Sequence, residues 1–353
     1  MSESVCNIYP PFSRFWAEAL QPMKRPDWTL PNTVSYENMS LKLRCFTALP
    51  DTQKTPILVL APNAGHHLNI SELLISRCLR VDAERGVYVV DWTPPTADSP
   101  NKYDSLNDMI RNIANCVGEL GNQVHLFTLC QGAWAGAIYA ALYPDSVLSY
   151  TDAAGPIDFF AGGGKIQAIC QSVPMSFYEN LVNIGGGVER GEFQLMGFKS
   201  LNLYDRYIGD YLELWYAVCN GDEKAIEKWH RFKDWYDQPQ NLSGVWYLEV
   251  VEKLFKKNLL ISGELEIIGR KVDLGQITCP VFLIAGDEDD ITPPPQVFNM
   301  ENYVSTKVVK HLIQDSGHIG VFVKESSLEY WEQAIIGKLD SLDSLAMGKH
   351  SAS

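Results

Sequence analysis

Residues 125–141, HLFTLCQGAWAGAIYAA, constrain the fold more than any other stretch of the chain. The apolar run at 125–129 predicts the end of a buried strand, and residues 131–142 predict a helix. Cys130 therefore lies on the bend between these elements, and Gly132 and Gly136 let the helix pack close to the strand. A strand that leads directly into a helix is typical of a parallel sheet covered by helices.

This bend resembles the nucleophile elbow of α/β-hydrolases, with sulfur in place of oxygen. Thr128 and Gly132 lie two residues on either side of Cys130, as in the small-x-nucleophile-x-Gly pattern, although Gly is more usual than Thr at the first position. At such a bend the helix N-terminus stabilises a thiolate, and the amide of Gln131 faces a developing oxyanion. A buried structural cysteine in an ordinary strand–helix unit is the alternative interpretation.

Further strand and helix patterns surround this unit. Residues 55–61, 86–92, 148–154 and 279–285 predict buried strands, and residues 71–83 and 106–120 predict helices between them. Strands that alternate with helices predict an α/β protein with a mostly parallel sheet and helices on both sides. The resemblance of the bend to a nucleophile elbow implies that this is the α/β-hydrolase fold. From about residue 160 the chain becomes rich in helix formers and aromatic residues, which predicts a helical, aromatic-rich cap insertion.

The predicted domain organisation follows from these changes of pattern. Residues 1–55 form an N-terminal arm and the first strand, 56–159 with 274–339 the α/β-hydrolase core, 160–273 the cap, and 340–353 a flexible tail. Most aromatic residues of the cap are expected to build its own small core. Trp215 in the cap and Trp134 after the bend are candidates for the apolar wall of a substrate pocket.

Charge and cysteine spacing limit the partners and cofactors. The 353-residue chain has a formal net charge of −14 and no basic run, which argues against nucleic acid and anionic membranes as partners. No stretch predicts a transmembrane segment and the N-terminus has no signal-peptide pattern, so we expect a cytoplasmic protein. The eight cysteines show no metal-ligand spacing, so we expect no metal and no cofactor.

Two further segments supply candidates for a catalytic triad with Cys130. The sequence GDEDD follows a predicted strand, where the acid of a hydrolase triad belongs, and we choose Asp289, which lies just before the turn ITPP that restarts the chain. Asp287 and Asp290 compete for this role and are interpreted as solvated turn residues. Residues 306–313 predict the last strand, and His318 lies on the glycine-flanked loop after it and serves as the general base. The order nucleophile, acid, histidine is that of α/β-hydrolases.

The loop after the strand at 55–61 lies where this fold keeps its second oxyanion donor. We predict that backbone amides at Asn63 and Ala64 hold the oxyanion together with the amide of Gln131. His66 and His67 on the same loop are candidates for the substrate pocket, and a surface or hydrogen-bonding role is the alternative for this doublet.

Three segments, TLCQGA, GDEDDITPPP and SGHIG, resemble the catalytic segments of the polyhydroxyalkanoate synthase and intracellular polyhydroxybutyrate depolymerase superfamily. The resemblance covers about residues 56–339 and implies a cysteine nucleophile, here Cys130. Three other segments look more like the intracellular depolymerases, namely APNAGHHLNI, VYVVDW and ELEIIGRKVDLGQIT. CQGA, TPPP and GHIG are closer to the synthases, particularly the short subunit of the two-component type.

The resemblance implies that the protein acts on or makes an intracellular polyester, and it leaves two enzyme branches open. Synthases usually follow the catalytic aspartate with histidine, whereas Asp290 follows Asp289 here, as in depolymerases. Because a second acid would make His318 more basic, we favour a depolymerase-like ester hydrolase that acts on polyester or hydroxyacyl oligomers through an acyl-cysteine. The alternative is a synthase subunit that polymerises 3-hydroxyacyl-CoA. A protein that binds storage granules without catalysis is the alternative that is not an enzyme. The sequence leaves open whether the protein lies on storage granules and whether it forms a homodimer.

Overall fold

The computed structural model describes residues 9–63 and 68–350 and places eight strands of this part of the chain in one sheet. The strands are β1 (Thr33–Glu37), β2 (Leu41–Cys45), β3 (Ile57–Leu60), β4 (Val87–Trp92), β5 (Val124–Leu129), β6 (Val147–Ala153), β7 (Val281–Gly286) and β8 (Val308–Ile313). Their order is β1-β2-β4-β3-β5-β6-β7-β8. Every pair from β4 to β8 is parallel, whereas β2 pairs antiparallel with β1 and β4. The predicted α/β-hydrolase fold is thereby confirmed.

Helices cover both faces of this sheet. The α-helices are α1 (Tyr9–Ala19), α2 (Leu68–Val81), α3 (Leu106–Glu119), α4 (Gln131–Leu142), α5 (Lys165–Ser172), α6 (Met175–Ile184), α7 (Gly191–Leu201), α8 (Asp210–Asn220), α9 (Glu223–Tyr236), α10 (Gly244–Glu249), α11 (Leu259–Ser262), α12 (Pro294–Phe298), α13 (Gly320–Val323), α14 (Glu325–Tyr330) and α15 (Leu339–His350). π-Helical turns span Asp205–Gly209, Val250–Lys256 and Trp331–Ile335. Short 3₁₀ turns span Pro100–Tyr103, Pro144–Ser146, Leu274–Gln276, Asn299–Asn302 and Ile336–Lys338. Two-residue strands pair Val188–Glu189 with Leu242–Ser243 and Glu266–Ile267 with Arg270–Lys271.

The core lies on the two faces of β3 and β5, which are buried along their whole length. Because successive side chains of a strand point to opposite faces, Leu126 joins the cluster with Ile110 of α3 and Ile138 of α4. Phe127 joins the other cluster, with Ile75 of α2. Burial of each such side chain contributes roughly 1.5–3 kcal/mol. The carboxyl end of β5 is thus fixed between two packed layers.

The cap follows β6 and has a small core of its own. Leu214 and Val218 of α8 pack against Ile226 and Trp229 of α9. The expectation that most aromatic residues of the cap build this small core is wrong, because rings such as Trp235 and Trp246 belong to the two clusters of the main core. The last part of the predicted cap belongs to the main core instead, since four of its residues pack in the cluster formed by α3 and α4. These residues are Leu260, Leu265, Ile267 and Val272.

The N-terminal helix α1 packs against this cap. The rings of Phe12 and Phe15 lie 6.5 and 5.6 Å from the ring of Trp215. Glu18 pairs with His230 at 2.8 Å. After α1 the chain reaches the core, where the Thr29 amide and hydroxyl both donate to Glu72 of α2. The predicted arm therefore touches both the cap and the core.

The prediction of a flexible tail from residue 340 is wrong for the part of the tail that the structure describes. Residues 339–350 form α15, whose Asp340 and Asp343 both accept hydrogen bonds from Arg85. This helix is held by a buried arginine that pairs with one buried and one exposed aspartate, and no local sequence pattern reveals these pairs. Among the described residues, no helix is long and apolar enough to cross a bilayer.

Candidate active site

Cys130 joins β5 to α4 in a strained backbone conformation. Its φ is 51° and its ψ is −119°, and such a conformation costs a non-glycine residue on the order of 1–3 kcal/mol. Neighbouring hydrogen bonds hold it: the Cys130 amide donates to Ala153 at 2.9 Å, and the Ala133 amide donates to the Cys130 carbonyl at 3.0 Å. The bend therefore has the geometry of the predicted elbow.

Close packing around the bend explains its small residues. A Cβ on Gly132 would lie 2.1 Å from the Leu60 carbonyl oxygen, so only glycine fits there. A Cβ on Gly136 would lie 2.5 Å from Cγ2 of Thr128. Thr128, where Gly is more usual, is thus accommodated by the glycine that faces it on α4.

The three residues predicted as a triad meet at the carboxyl end of the sheet. His318 Nε2 lies 3.3 Å from Cys130 Sγ, and His318 Nδ1 lies 2.8 Å from Asp289 Oδ2. His318 and Asp289 are buried, and Cys130 is half-buried. This arrangement lets Nδ1–H donate to the carboxylate while Nε2 takes the thiol proton. It is the geometry that a nucleophile, base and orienting acid require.

The electrostatics of the site favour a charged histidine. Burial by itself lowers the pKa of His318, but the Asp289 carboxylate and the Cys130 sulfur outweigh it and raise that pKa well above its ordinary value. The site therefore stabilises an imidazolium next to the sulfur. Elsewhere in the core, burial raises the pKa of Cys116 and Cys279 to about 12, so these thiols stay protonated.

The turn that carries Asp289 also fixes the histidine loop. Asp289 Oδ1 accepts the amides of Ile291 and Thr292 at 3.0 and 2.8 Å, which leaves Oδ2 for His318. Asp287 accepts the amide of Ser316 at 2.9 Å, two residues before His318. Asp287 is exposed on its turn, as predicted for a solvated turn residue, and its carboxylate also joins the acid turn to the histidine loop.

Asp290, the other competing acid, pairs with a lysine of the cap. Its Oδ2 lies 2.5 Å from Lys165 Nζ. The expectation that Asp290 makes His318 more basic loses its basis, since a neighbouring cation balances the charge. Nothing in the local sequence identifies Lys165 as this partner.

On the oxyanion side, Gln131 is the first residue of α4 and directly follows Cys130. Asn63 follows β3 and lines a small cavity together with Gln131 and Gly132. The predicted oxyanion residue Ala64 and the predicted pocket residues His66 and His67 lie outside the described residues, so their roles stay predictions.

The structure corrects the two aromatic pocket candidates. Trp134 is fully buried in the core, with its ring 5.8 Å from that of Trp246, and Trp215 packs against α1. Both rings thus serve packing. Phe232, Trp235 and Tyr236 of α9 belong to the large apolar cluster on one face of the sheet, against which Cys130 also packs.

A second buried aspartate lies behind the elbow and was not predicted. Asp152, on β6, accepts the Gly155 amide through Oδ1 at 2.9 Å. Its Oδ2 is buried and has no hydrogen-bond partner among the described residues. Burial raises the pKa of Asp152 well above its ordinary value, which keeps it protonated.

The fold and the site define an enzyme of the α/β-hydrolase fold. Similar solved structures include a monoacylglycerol lipase of Paleococcus ferrophilus, with a TM-score of 0.53, 19% identity and coverage of 82% of this chain and 96% of that one. A thermophilic esterase of Thermogutta terrifontis has a TM-score of 0.53, 15% identity and coverage of 88% and 98%. The family model described as PHB de-polymerase C-terminus matches residues 154–342, and the chain belongs to this family.

Curated relatives share the sequence over most of this chain. The poly(3-hydroxyalkanoate) polymerase subunit PhaC of Haloferax mediterranei is 25% identical over 84% of this chain and 61% of that protein. The subunit of the same name from Thiocystis violacea is 25% identical over 77% and 76%, and that of Synechocystis is 24% identical over 87% and 84%. The chain thus spans less than two thirds of the Haloferax relative and about three quarters or more of the other two.

Proposed function

We propose that this protein is an acyltransferase of the polyhydroxyalkanoate polymerase type. It moves a 3-hydroxyacyl group from a thioester to Cys130 and then to a hydroxyl group. The observation that carries the proposal is the thiol on a strained bend, 3.3 Å from His318 Nε2. The relatives named as polymerase subunits, at 24–25% identity, support the same class of reaction.

Each proton in this reaction passes through His318. In the first half, Nε2 takes the thiol proton, and the sulfur attacks the thioester carbonyl carbon. Amides at Asn63 and Gln131 hold the oxyanion, and the coenzyme thiol leaves with the proton. In the second half, Nε2 takes a proton from the hydroxyl group whose oxygen attacks the acyl-cysteine, and the Cys130 sulfur leaves and is reprotonated. Asp289 holds the histidine tautomer and stabilises the imidazolium in both halves.

A thiol nucleophile suits a thioester substrate better than an oxygen ester. Exchange of one thioester for another changes the bond energy little, so the acyl group stays activated on Cys130. A leaving group of lower pKa leaves faster, so an alkoxide is expelled far less readily than the sulfur that attacked. Transfer from acyl-cysteine to a hydroxyl group is therefore favoured in the direction of polymer.

Hydrolysis of the polyester is the second candidate, and the description of the matching family, PHB de-polymerase C-terminus, favours it. The same triad would form the acyl-cysteine, and a water activated by His318 would resolve it. The ion pair between Asp290 and Lys165 removes the earlier electrostatic argument for this branch.

A side-by-side assay of the purified protein separates the two candidates. We expect release of CoA and growth of polymer from 3-hydroxybutyryl-CoA, measured with and without added polymerase partner subunit. Free 3-hydroxybutyrate should not accumulate from amorphous polyester or short oligomers. Acid release from oligomers without CoA release would reverse the choice. If the protein showed neither activity, the non-catalytic granule-binding alternative would be favoured. Cys130→Ala is the control for both assays.

A further inference from the structure

The turn that carries Asp289 is held by the segment that begins the cap. The amide of Lys165 donates to the Asp290 carbonyl at 3.1 Å. The ammonium group of Lys165 also lies 2.5 Å from the Asp290 carboxylate. The residue next to the triad acid is thus held twice by one lysine of the cap, through its backbone and through its side chain.

The far end of the same turn is attached to the same segment. Gln296, which is buried, donates from Nε2 to the carbonyls of Gly163 and Phe159 at 2.5 and 3.3 Å. Its own carbonyl accepts the Ile157 amide at 2.9 Å. The acid turn and the start of the cap therefore form one hydrogen-bonded unit.

Glycines allow this close approach. Gly162 and Gly164 have φ values of 67° and 124°. A Cβ at Gly162 would lie 2.9 Å from Pro295, and a Cβ at Gly164 would lie 3.1 Å from Pro293. Residues 162–164 are thus fitted against the proline turn that follows Asp289.

Lys165 also reaches a more distant part of the cap. Its Nζ donates to Asn202 Oδ1 at 2.8 Å and to the Leu201 carbonyl at 3.3 Å, at the end of α7. One ammonium group therefore connects α7 to the acid turn.

The Asp289 carboxylate has little freedom to correct for a movement of its turn. Oδ1 is bonded to the amides of Ile291 and Thr292, which belong to the same turn. A displacement of the turn therefore displaces Oδ2 relative to His318 Nδ1, and catalytic hydrogen bonds are sensitive to small shifts.

We propose that Lys165 is a positioning residue that couples the seating of the cap to the orientation of Asp289. The proposal takes over the triad of the proposed function. With the cap seated, Lys165 holds the acid turn so that Asp289 meets His318. With α7 displaced, Lys165 loses its hydrogen bonds to Leu201 and Asn202, and it holds the acid turn less firmly. The cap thus controls the chemistry of the triad as well as access to it.

The test compares variants of this ion pair with a matched ion pair elsewhere. Lys165→Met and Asp290→Asn each remove the pair, Lys165→Arg keeps the charge, and Lys165→Asp with Asp290→Lys exchanges the partners. Lys257→Met is the control, because Lys257 and Glu252 form a pair at 2.6 Å with side-chain exposures of 55% and 45%, close to the 41% and 48% of Lys165 and Asp290.

We expect Lys165→Met to lower kcat for CoA release from 3-hydroxybutyryl-CoA roughly two- to fivefold, the range for a solvent-accessible ion pair. KM and the melting temperature should stay at their wild-type values. Asp290→Asn should have the same effect. The double variant Lys165→Met with Asp290→Asn should be no worse than either single variant, because each substitution removes the same interaction. Lys165→Arg and the exchanged pair should recover activity, and Lys257→Met should match the wild type.

Alkylation of Cys130 by iodoacetamide separates this proposal from the proposed function, since it needs no acyl substrate. Lys165→Met should slow alkylation by the same factor as kcat. If Lys165→Met alkylates at the wild-type rate, or if the two single effects add, the positioning role is wrong whatever the substrate is. If alkylation slows but the wild type releases no CoA, the positioning role stands and the polymerase assignment fails.

Discussion

Two buried histidine–aspartate pairs lie at opposite ends of the sheet, and they differ in what else touches them. At the carboxyl end, His318 Nδ1 lies 2.8 Å from Asp289. At the amino end, His125 Nε2 lies 2.9 Å from Asp343. Both histidines are buried, so neither burial nor the carboxylate distinguishes them.

The third partner separates the two pairs. His318 presents its other nitrogen to the Cys130 thiol. His125 presents its other nitrogen to the Ser149 hydroxyl at 2.8 Å, and Arg85 bonds the same Asp343 at 2.9 Å. Burial lowers the pKa of His125 and outweighs the pull of Asp343. Burial raises the pKa of Asp343, but His125 and Arg85 outweigh it and lower that pKa to about 2.

The amino-end pair is therefore a structural device in which a neutral histidine and an arginine share one carboxylate. In the part of the chain that the structure describes, no arginine is hydrogen-bonded to the carboxyl-end pair, so the carboxylate supports a charge on the histidine instead. A serine hydroxyl can also give a proton to a histidine, so the proton donor alone does not decide. Ser149 is fully buried and Arg85 shares its aspartate, whereas Cys130 is half-buried and can be reached.

The largest expected effect comes from removal of the third partner of each histidine. Cys130→Ala should lower turnover by about 10⁴-fold or more, a size taken from serine protease triads, with little change in stability. Ser149→Ala should leave turnover unchanged and cost about 1 kcal/mol of stability. Steady-state CoA release and urea unfolding measure the two quantities. Ordinary turnover in Cys130→Ala would refute the mechanism.

Neutralising the carboxylate at the active end is expected to have the next largest effect. Asp289→Asn should lower kcat by roughly 10³- to 10⁴-fold, because the amide favours the wrong tautomer of His318. Asp290→Asn, one residue further on, should cost only a few-fold, since its carboxylate meets Lys165. The same kcat assay on both variants checks this. Equal losses would mean that the two acids share the role.

The same change at the amino end should affect stability and not chemistry. Asp343→Asn removes a partner of Arg85, which is 1% exposed, while Asp340 and Thr55 remain bonded to it. We expect a loss of about 2–3 kcal/mol in the free energy of unfolding, below the cost of isolating a buried charge. Activity per folded molecule should equal that of the wild type. A specific loss of kcat would show that the two ends are coupled.

Asp152 is expected to leave turnover unchanged and to give the stability a pH signature, because no histidine or arginine among the described residues is hydrogen-bonded to this buried aspartate. Its raised pKa means that the folded state keeps a proton that the unfolded chain loses above about pH 4. The free energy of unfolding therefore does not depend on the titration of Asp152 below that pH. Above it, this free energy falls by up to about 1.4 kcal/mol per pH unit while the folded form stays protonated. Asp152→Asn should remove this slope.

Urea unfolding of both proteins at pH 5, 6, 7 and 8 measures the difference. Asp152→Asn should gain stability relative to the wild type as pH rises, and kcat should stay unchanged because Asp152 lies behind the elbow. A constant difference across this range would mean that Asp152 is ionised in the folded protein.

Local patterns were sufficient to predict the elbow and the order of the triad. A continuous apolar run, a cysteine and a glycine-rich helix determine the bend at Cys130, since each operates over a few residues. Asp289 and His318 could be predicted because both follow strands of one parallel sheet, whose carboxyl ends meet at one edge. The number of residues between the three positions does not show that they lie close together. Their places after strands of one parallel sheet do.

Contacts between distant segments could not be predicted. His125 and Asp343 are separated by 218 residues, and nothing near either residue indicates the other. The same holds for Lys165 with Asp290, and for Asp287 with the amide of Ser316. These partners are ordinary charged residues in the sequence, and only the packing of the cap, the acid turn and α15 gives them a function.

The position of α1 has a mechanical consequence for the cap. An inserted cap is joined to its core by two chain crossings, and two attachment points leave a hinge axis about which it can swing. Here the N-terminal segment adds a strap, because α1 is fastened to α8 by Phe12 and Phe15 and Thr29 is fastened to Glu72 on the core. Lys24 is bonded to Asp234 and Gln238 of the cap as well. Unless these contacts break first, the cap can move away from Glu72 only as far as the four residues between Lys24 and Thr29 allow.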